Sequence, residues 1–214
     1  PDWVILRGWG VMNPTALKAA AKVGFPRDHI IGVWWSGAEE DTIPAGDAAK
    51  DFISAAFNVA GTNYPVIQEI DKNVYAKKKG NLEDKSRMGS IYYNRGVVFG
   101  IITAEAIRTA QAKFGKGKVV TSEQIRWGIE NLNITEARLK ELGATGFMQA
   151  LKVSCADHEG GGAGKFQQWN GKQWKVITDW IQPDKELVRG MIEQSAAAYA
   201  KEKNLTPRDC SKES

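Results

Sequence analysis

The chain is poor in the residues that most enzymes and metal proteins are built around. Its only histidines are His29 and His158, and its only cysteines are Cys155 and Cys210. The cysteines lie 55 positions apart with no CxxC or CxxH companion, a spacing that argues against a structural zinc site. On spacing alone they are either a disulfide tying the polar tail to the body or two buried thiols. No apolar run is long enough to span a bilayer. Twenty-nine basic against 25 acidic residues leave a net charge of only +4, well short of a nucleic-acid-binding signature. Lys77-Lys78-Lys79 is the one dense basic run and reads as a solvated helix end. Internal repeats are also missing.

Familiar motifs fail in their details. Gly8-Trp9-Gly10 follows a strand and precedes a helix, as a dinucleotide fingerprint does. The third glycine is replaced by Asn13, and Trp9 would crowd the approach of a pyrophosphate. An NAD(P)-binding Rossmann-type enzyme using Gly8 and Gly10 is therefore the alternative reading. The segment from Glu159 to Phe166 resembles a P-loop but has Glu at its first position, Phe where a magnesium-binding hydroxyl belongs, and a strand after it. It reads as a connector. Asp157-His158-Glu159 could ligate a metal, yet no further histidine is available to complete a set, so it reads as a surface loop. Glu39, Glu40 and Asp41, together in a polar loop, are expected to be solvated. Nothing in the residues demands an enzyme, a metal or a cofactor.

What is present is a clear α/β pattern. Residues 2–7 form an apolar strand ending in Gly8-Trp9-Gly10. Asn13-Pro14 opens a helix, with Asn as N-cap and Pro in the first turn; Leu17, Ala20 and Ala21 give its packing face and Gly24 its end. Ile30 to Trp35 returns as a second strand. Such a βαβ unit predicts a parallel pair whose ligand-binding edge lies at the strand C-termini. Eight tryptophans are many for 214 residues. Trp3, Trp127, Trp169, Trp174 and Trp180 are explained by packing, whereas Trp9, Trp34 and Trp35 fall at strand ends.

Downstream, residues 52–57 read as an extended segment, and helices are expected over 65–78, 90–114, 121–129 and 135–142. The third carries a Thr121/Gln124 capping box, and Gly143 stops the fourth. Asn170-Gly171 predicts a tight primed turn between strands 165–169 and 173–178, and a helix over 183–203 closes the chain. A chain that starts directly in a core strand, without a full βα series behind it, is expected to be the later part of a longer one.

Four segments in order carry a resemblance: Asp2 to Gly10, Ile30-Ile31-Gly32, Gly46-Asp47-Ala48-Ala49-Lys50, and Tyr92-Tyr93-Asn94-Arg95-Gly96. Together with Phe166 to Trp169 before the Asn-Gly turn, they resemble the C-terminal half of solute-binding proteins of branched-chain amino acid (leucine/isoleucine/valine-type) ABC transporters. The resemblance implies an α/β, two-lobe periplasmic-binding-protein type I architecture, present here as an incomplete C-terminal part. Residues 1–56 would belong to the C-terminal lobe, 57–154 to the helical part of the N-terminal lobe, and 155–214 would return to the C-terminal lobe. It implies an extracytoplasmic, periplasmic protein that captures a small ligand without chemistry and passes it to a membrane permease, with no cofactor, no nucleic acid and no membrane insertion of its own. An oxidising compartment implies a Cys155–Cys210 disulfide. The implied ligand residues are Trp9, Gly10, Trp34, Trp35, Ser36, Tyr93 and Arg95. The acid that pairs with an amino-acid ammonium in that family is absent after Gly32, where Val33-Trp34-Trp35 stands. Apolar or aromatic carboxylates, anchored by Arg95 and the Ser36 hydroxyl, are therefore expected beside amino-acid-like ligands.

Overall fold

A computed structural model describes Pro1 to Lys212. Its contacts divide the chain into two compact units. The first comprises Pro1–Ile102, Glu136–Gln149 and Ala163–Ile181; the second comprises Thr103–Thr135, Ala150–Gly162 and the residues from Gln182 on.

The first unit is built on a five-stranded sheet. Strand β1 (Val4–Leu6), helix α1 (Met12–Lys22) and strand β2 (Ile30–Gly32) make the expected parallel βαβ unit, and Val4 pairs with Ile30 and Leu6 with Gly32. After the short helix α2 (Glu39–Thr42), β3 (Ile53–Ala56) adds in parallel to β2. Helix α3 (Pro65–Ile70) follows, and the long helix α4 (Ile91–Phe114) supplies its first turns to this unit. Helix α6 (Glu136–Glu141) and the hairpin β6–β7 (Lys165–Trp169, Trp174–Val176) complete it, β6 lying antiparallel to β3. The sheet order is β1-β2-β3-β6-β7. Leu17 of α1, Ile30, Phe52, Ile91, Trp169 and Trp174 form the buried core beneath it.

Three local expectations are corrected. Asn13 is not the helix cap: α1 starts at Met12, and the buried Asn13 side chain turns inward instead. The second strand ends at Gly32, and Trp34–Ser36 form a 3₁₀ turn, because Ser36 N–H closes on Val33 O at 2.8 Å. The hairpin is not joined by a two-residue primed turn. Trp169 pairs with Trp174, leaving four loop residues in which the Asn170 carboxamide oxygen accepts from Lys172 and Gln173 N–H, and only Gly171 has positive φ (94°). Trp3, expected only to pack, does so at the surface: it is 54% exposed and stacks on His29 at 4.5 Å.

The second unit holds the rest of α4, α5 (Ser122–Glu130), a two-stranded ladder of β4 (Asn133–Ile134) with β5 (Leu151–Lys152), and α7 (Lys185–Glu202). Helix α5 begins with the expected capping box, Thr121 Oγ1 and Gln124 each serving the other's backbone N–H. Cys155 and Cys210 form a disulfide across 5.6 Å of Cα separation. Alongside it, Arg208 clasps the buried Glu130 carboxylate through two bonds of 2.5 and 2.9 Å, and the His158 ring lies 3.3 Å from the same carboxylate. Asp157 holds Lys185 at 2.6 Å, joining the connector to α7.

Closing a loop of 55 residues restricts the unfolded chain, so Cys155→Ser with Cys210→Ser should cost about 2–4 kcal/mol by urea denaturation. Untreated protein should show no alkylatable thiol by intact mass; two labelled cysteines would contradict the pairing. The hydrogen bonds from Arg208 hold the Glu130 carboxyl below its usual range. A depressed folded value means that this group stabilises the fold above the unfolded carboxyl value, near about pH 4.3, and less as pH falls towards the lower folded value. Arg208→Ala should therefore lower stability at pH 7 and reduce the acid-side loss.

Candidate functional site

The residues that surround the end of β2 are set by buried polar side chains. Ser54 on β3 donates from Oγ to Val33 O at 3.0 Å, and Gln167 on β6 donates from Nε2 to Gly37 O at 2.8 Å. Ser36 Oγ donates to Gly8 O at 2.8 Å, tying the turn after β2 to the end of β1. These three bonds fix both ends of the Trp34–Trp35 turn.

The acids that follow are not solvated as a group, which corrects the expectation for residues 39–41. Asp41 has no exposed surface. Its Oδ1 accepts from Asn13 Nδ2 at 2.7 Å and its Oδ2 from Ala38 N–H at 2.9 Å. Burial pushes its carboxyl above the ordinary range, against the pull of these bonds and of the Arg95 charge. Glu39, also raised by burial, accepts from Ile91 N–H at 3.0 Å at the start of α4, where a helix dipole favours negative charge. Glu40 pairs with Arg87 and remains exposed. Asn58 and Asn94 complete the seating of α4: Asn58 Nδ2 donates to Ile91 O at 3.0 Å and Asn94 Nδ2 to Val59 O at 2.8 Å.

With α4 so placed, Arg95 meets the tryptophan turn. Its guanidinium carbon lies 4.4 Å above the Trp34 ring and 5.0 Å above the Tyr92 ring, and Nη2 donates to Trp34 O at 3.2 Å. Each such cation–π contact contributes on the order of 0.5–2 kcal/mol. Arg95 Nε is buried without a partner. Trp34 also contacts Trp35 at 4.1 Å and Phe57 at 5.7 Å between ring centroids. Trp35 is 50% exposed, and Phe57 and Tyr92 are exposed as well. The result is an open aromatic surface centred on a partly desolvated cation, an arrangement suited to a ligand that combines a flat apolar body with negative charge.

The structure thus brings Trp34, Trp35 and Arg95 together. Trp9 is 71% exposed on the turn into α1, beside Gly10, whose φ is 53°. Ser36 is buried, its hydroxyl engaged by backbone. Tyr93 turns instead towards Tyr75, with the two hydroxyls 3.2 Å apart. Burial and that neighbour push the Tyr93 phenol well above its ordinary value. Cavities among the described residues lie elsewhere in the unit. One of about 470 Å³ is bordered by Glu39, Gly89 and Trp174, the other of about 580 Å³ by Val66, Ile70 and Leu142. Gly8 has a structural cause unrelated to phosphate: a Cβ there would collide with the Asn13 carboxamide oxygen.

Sequence reasoning missed Asn13, Asp41, Tyr92 and Phe57. Tyr92 carried a usable signal, since it stands three residues before Arg95 and so shares its helix face. Asp41 carried a weaker one, an acid three residues after Ala38 at a helix start.

A parallel βαβ core with an aromatic–guanidinium cluster near its strand C-termini is an α/β arrangement. The chain belongs to the periplasmic binding protein family, which it matches over residues 1–173. Among solved structures it is similar to one from the Pseudomonas fluorescens group described as an ABC transporter permease. The two share 50% identity over 98% of this chain and 50% of that one, with a TM-score of 0.93. It also shares its fold with a branched-chain amino acid ABC transporter protein from Thermus thermophilus with bound valine (21% identity, 87% of this chain and 48% of that one, TM-score 0.67). A solute-binding protein from R. palustris in complex with benzoate has the same fold (14% identity, 86% and 45%, TM-score 0.54). The chain spans about half the length of these proteins. No curated protein sequence matches it.

Asp41→Ala would leave the Asn13 carboxamide and the Ala38 N–H buried without a partner, at a cost of about 2–4 kcal/mol in chemical denaturation. Asp41→Asn should cost less. With a raised folded value, wild-type Asp41 stabilises most at low pH and progressively less as pH rises from about 4 through that value. The Asn variant should lack this decline.

Proposed function

We propose that this chain is part of the extracytoplasmic, periplasmic solute-binding component of an ABC importer. It captures a small amino-acid-like or apolar or aromatic carboxylate and hands it to a membrane permease, without catalysing a reaction. Residues 1–56, 57–154 and 155–214 are read as successive contributions to the C-terminal, N-terminal and again C-terminal lobe of the two-lobe architecture. The observation that carries the function is the Trp34–Arg95–Tyr92 stack, open to solvent beside Trp35. Family membership supports the transport role, as do the named functions of the similar proteins from Thermus thermophilus and R. palustris.

In this reading the carboxylate of the ligand approaches Arg95, and its apolar body lies on Trp34 and Trp35, with Trp9 and Gly10 at the rim. A guanidinium held between two rings keeps its charge while shedding part of its hydration, so an incoming carboxylate displaces little ordered water. Ser36 acts by holding the turn, through Gly8 O. Tyr93 enters the site only by leaving Tyr75. No acid follows Gly32 in the chain before Glu39, which favours ligands without an ammonium group over α-amino acids. A dinucleotide-binding role is disfavoured, because the glycine at position 8 answers to Asn13 packing.

Tryptophan fluorescence of the chain, titrated with benzoate, leucine and NAD, separates the readings. Benzoate should give a saturable change, leucine a weaker one and NAD none. Arg95→Ala and Trp34→Ala should each weaken benzoate binding at least about tenfold, ~1.4 kcal/mol. Trp9→Ala should weaken it less and leave the thermal midpoint unchanged, since that ring is exposed. A response to NAD alone would reverse the proposal.

A further inference from the structure

The cavity of about 470 Å³ in the first unit is not accounted for by the aromatic surface. Its place follows from strand register. Lys165 pairs with Ala56 and Gln168 with Ile53, so β6 carries Trp169 to the start of β3, where Trp174 pairs with it. The cavity that Trp174 borders therefore lies towards the end of the sheet opposite the strand C-termini that lead to Trp34.

The walls are held by the fold. In the loop before α4, Gly61 N–H donates to Gly89 O at 2.7 Å, and the buried Asn94 carboxamide donates to Gly61 O at 3.0 Å. Gly89 has a φ of 83°, and a Cβ there would meet the Gly61 carbonyl carbon at 2.9 Å, so only glycine allows this approach. The hairpin loop forms a second wall, tied down where Asn170 accepts from Lys172 and Gln173 N–H. The start of α2 forms a third, where Glu39 accepts from Ile91 N–H. A space framed in this way is pre-formed, which lowers the cost of binding in it.

The charge around it is one-sided. Arg87, Lys172 and Lys175 border the cavity against a single acid, Glu39. Arg87 is matched by Glu40 outside it. Lys172 and Lys175 are exposed and have no ion pair among the described residues. Trp174 is only 6% exposed, and its indole N–H is buried with no acceptor. A buried donor without a partner is rare in folded proteins and calls for a reason.

We propose that this cavity is a second ligand site, selective for a small organic polyanion of the oligocarboxylate class. Its carboxylates meet the two lysine ammonium groups, and an oxygen of the same molecule supplies the acceptor that the Trp174 indole lacks. A ligand with one carboxylate on an apolar ring, as read for the Trp34–Arg95 surface, satisfies one of these groups and leaves the rest. The inference does not depend on that reading, because Trp34, Trp35 and Arg95 do not border the cavity.

Isothermal titration of the chain with citrate, at an ionic strength held constant with chloride, tests the site. Citrate should bind saturably and one-to-one. Inorganic phosphate, which fills little of the cavity, should bind at least about tenfold more weakly. In the nitrogen-15 spectrum the Trp174 indole N–H should shift with citrate while those of Trp34 and Trp35 stay fixed. Lys172→Glu with Lys175→Glu should weaken citrate binding at least about tenfold and leave the thermal midpoint unchanged, since both side chains are exposed. Lys79→Glu, in the dense basic run, should leave the affinity unchanged, which separates a site from general attraction of anions. Arg95→Ala should weaken benzoate binding and not citrate binding, so the two sites fail separately. The proposal is overturned if citrate shows no saturation by about 10 mM, or if phosphate binds as tightly. It is equally overturned if the double variant binds citrate undiminished, if Lys79→Glu weakens binding as much, or if Trp34 responds and Trp174 does not.

Discussion

A carboxylate without access to water must be matched by donors at its own position, and Asp41 is such a group. Its two oxygens are taken by Asn13 from α1 and by the Ala38 N–H, so the helix that follows β1 and the turn that follows β2 are held to one point. The same principle recurs around it: Ser36, Ser54, Gln167 and Asn94 are all buried, and each spends its side chain on a backbone carbonyl of a different segment. Leaving any one of these unpaired costs more than its hydrogen bond contributes when made. This asymmetry gives the segment from Val33 to Ala38, a single 3₁₀ turn between β2 and α2, a definite shape.

That shape is what makes the aromatic surface usable. Trp34 and Trp35 are adjacent in sequence, and in a strand they would face opposite ways. The 3₁₀ turn brings the two rings together instead, and Glu39, by accepting from the first turn of α4, brings Arg95 over the Trp34 ring. Arg95 is placed by the Glu39 carboxylate that caps the start of its helix and is favoured by the charge of the buried Asp41, and among the described residues it forms no ion pair with either. It therefore keeps hydrogen-bonding capacity for a ligand.

Much of the architecture was legible in the sequence because it depends on short-range patterns. The βαβ unit followed from two apolar runs around an amphipathic segment, the capping box from Thr121 and Gln124, and the hairpin from Asn170-Gly171. The errors came where long-range partners overrode local preference. Asn13 looks like a helix cap until Asp41, 28 residues away, claims its carboxamide. Glu39 and Asp41 look like solvated loop acids until α4 and α1 close over them. The hairpin turn is longer than expected because the Trp169–Trp174 pair sets the register from the core side. In the candidate cluster, Trp34 and Trp35 stood out by their places at a strand end, and Arg95 came from the family resemblance. Tyr92 could have been placed beside Arg95 by its helical spacing, whereas Phe57 could not, because its contact with Trp34 depends on which faces meet.

The central claim is that Arg95 and the Trp34–Trp35 pair form a carboxylate-binding surface separate from the tryptophan-containing core. Nitrogen-15 NMR of the chain resolves the indole N–H of each tryptophan and the Nε–H of Arg95 in one spectrum. On addition of benzoate, the Arg95, Trp34 and Trp35 signals should shift together along a single saturation curve, with Trp169 and Trp174 unmoved. Shifts confined to Trp169 and Trp174, or an Arg95 signal that stays fixed while other indoles move, would contradict the account.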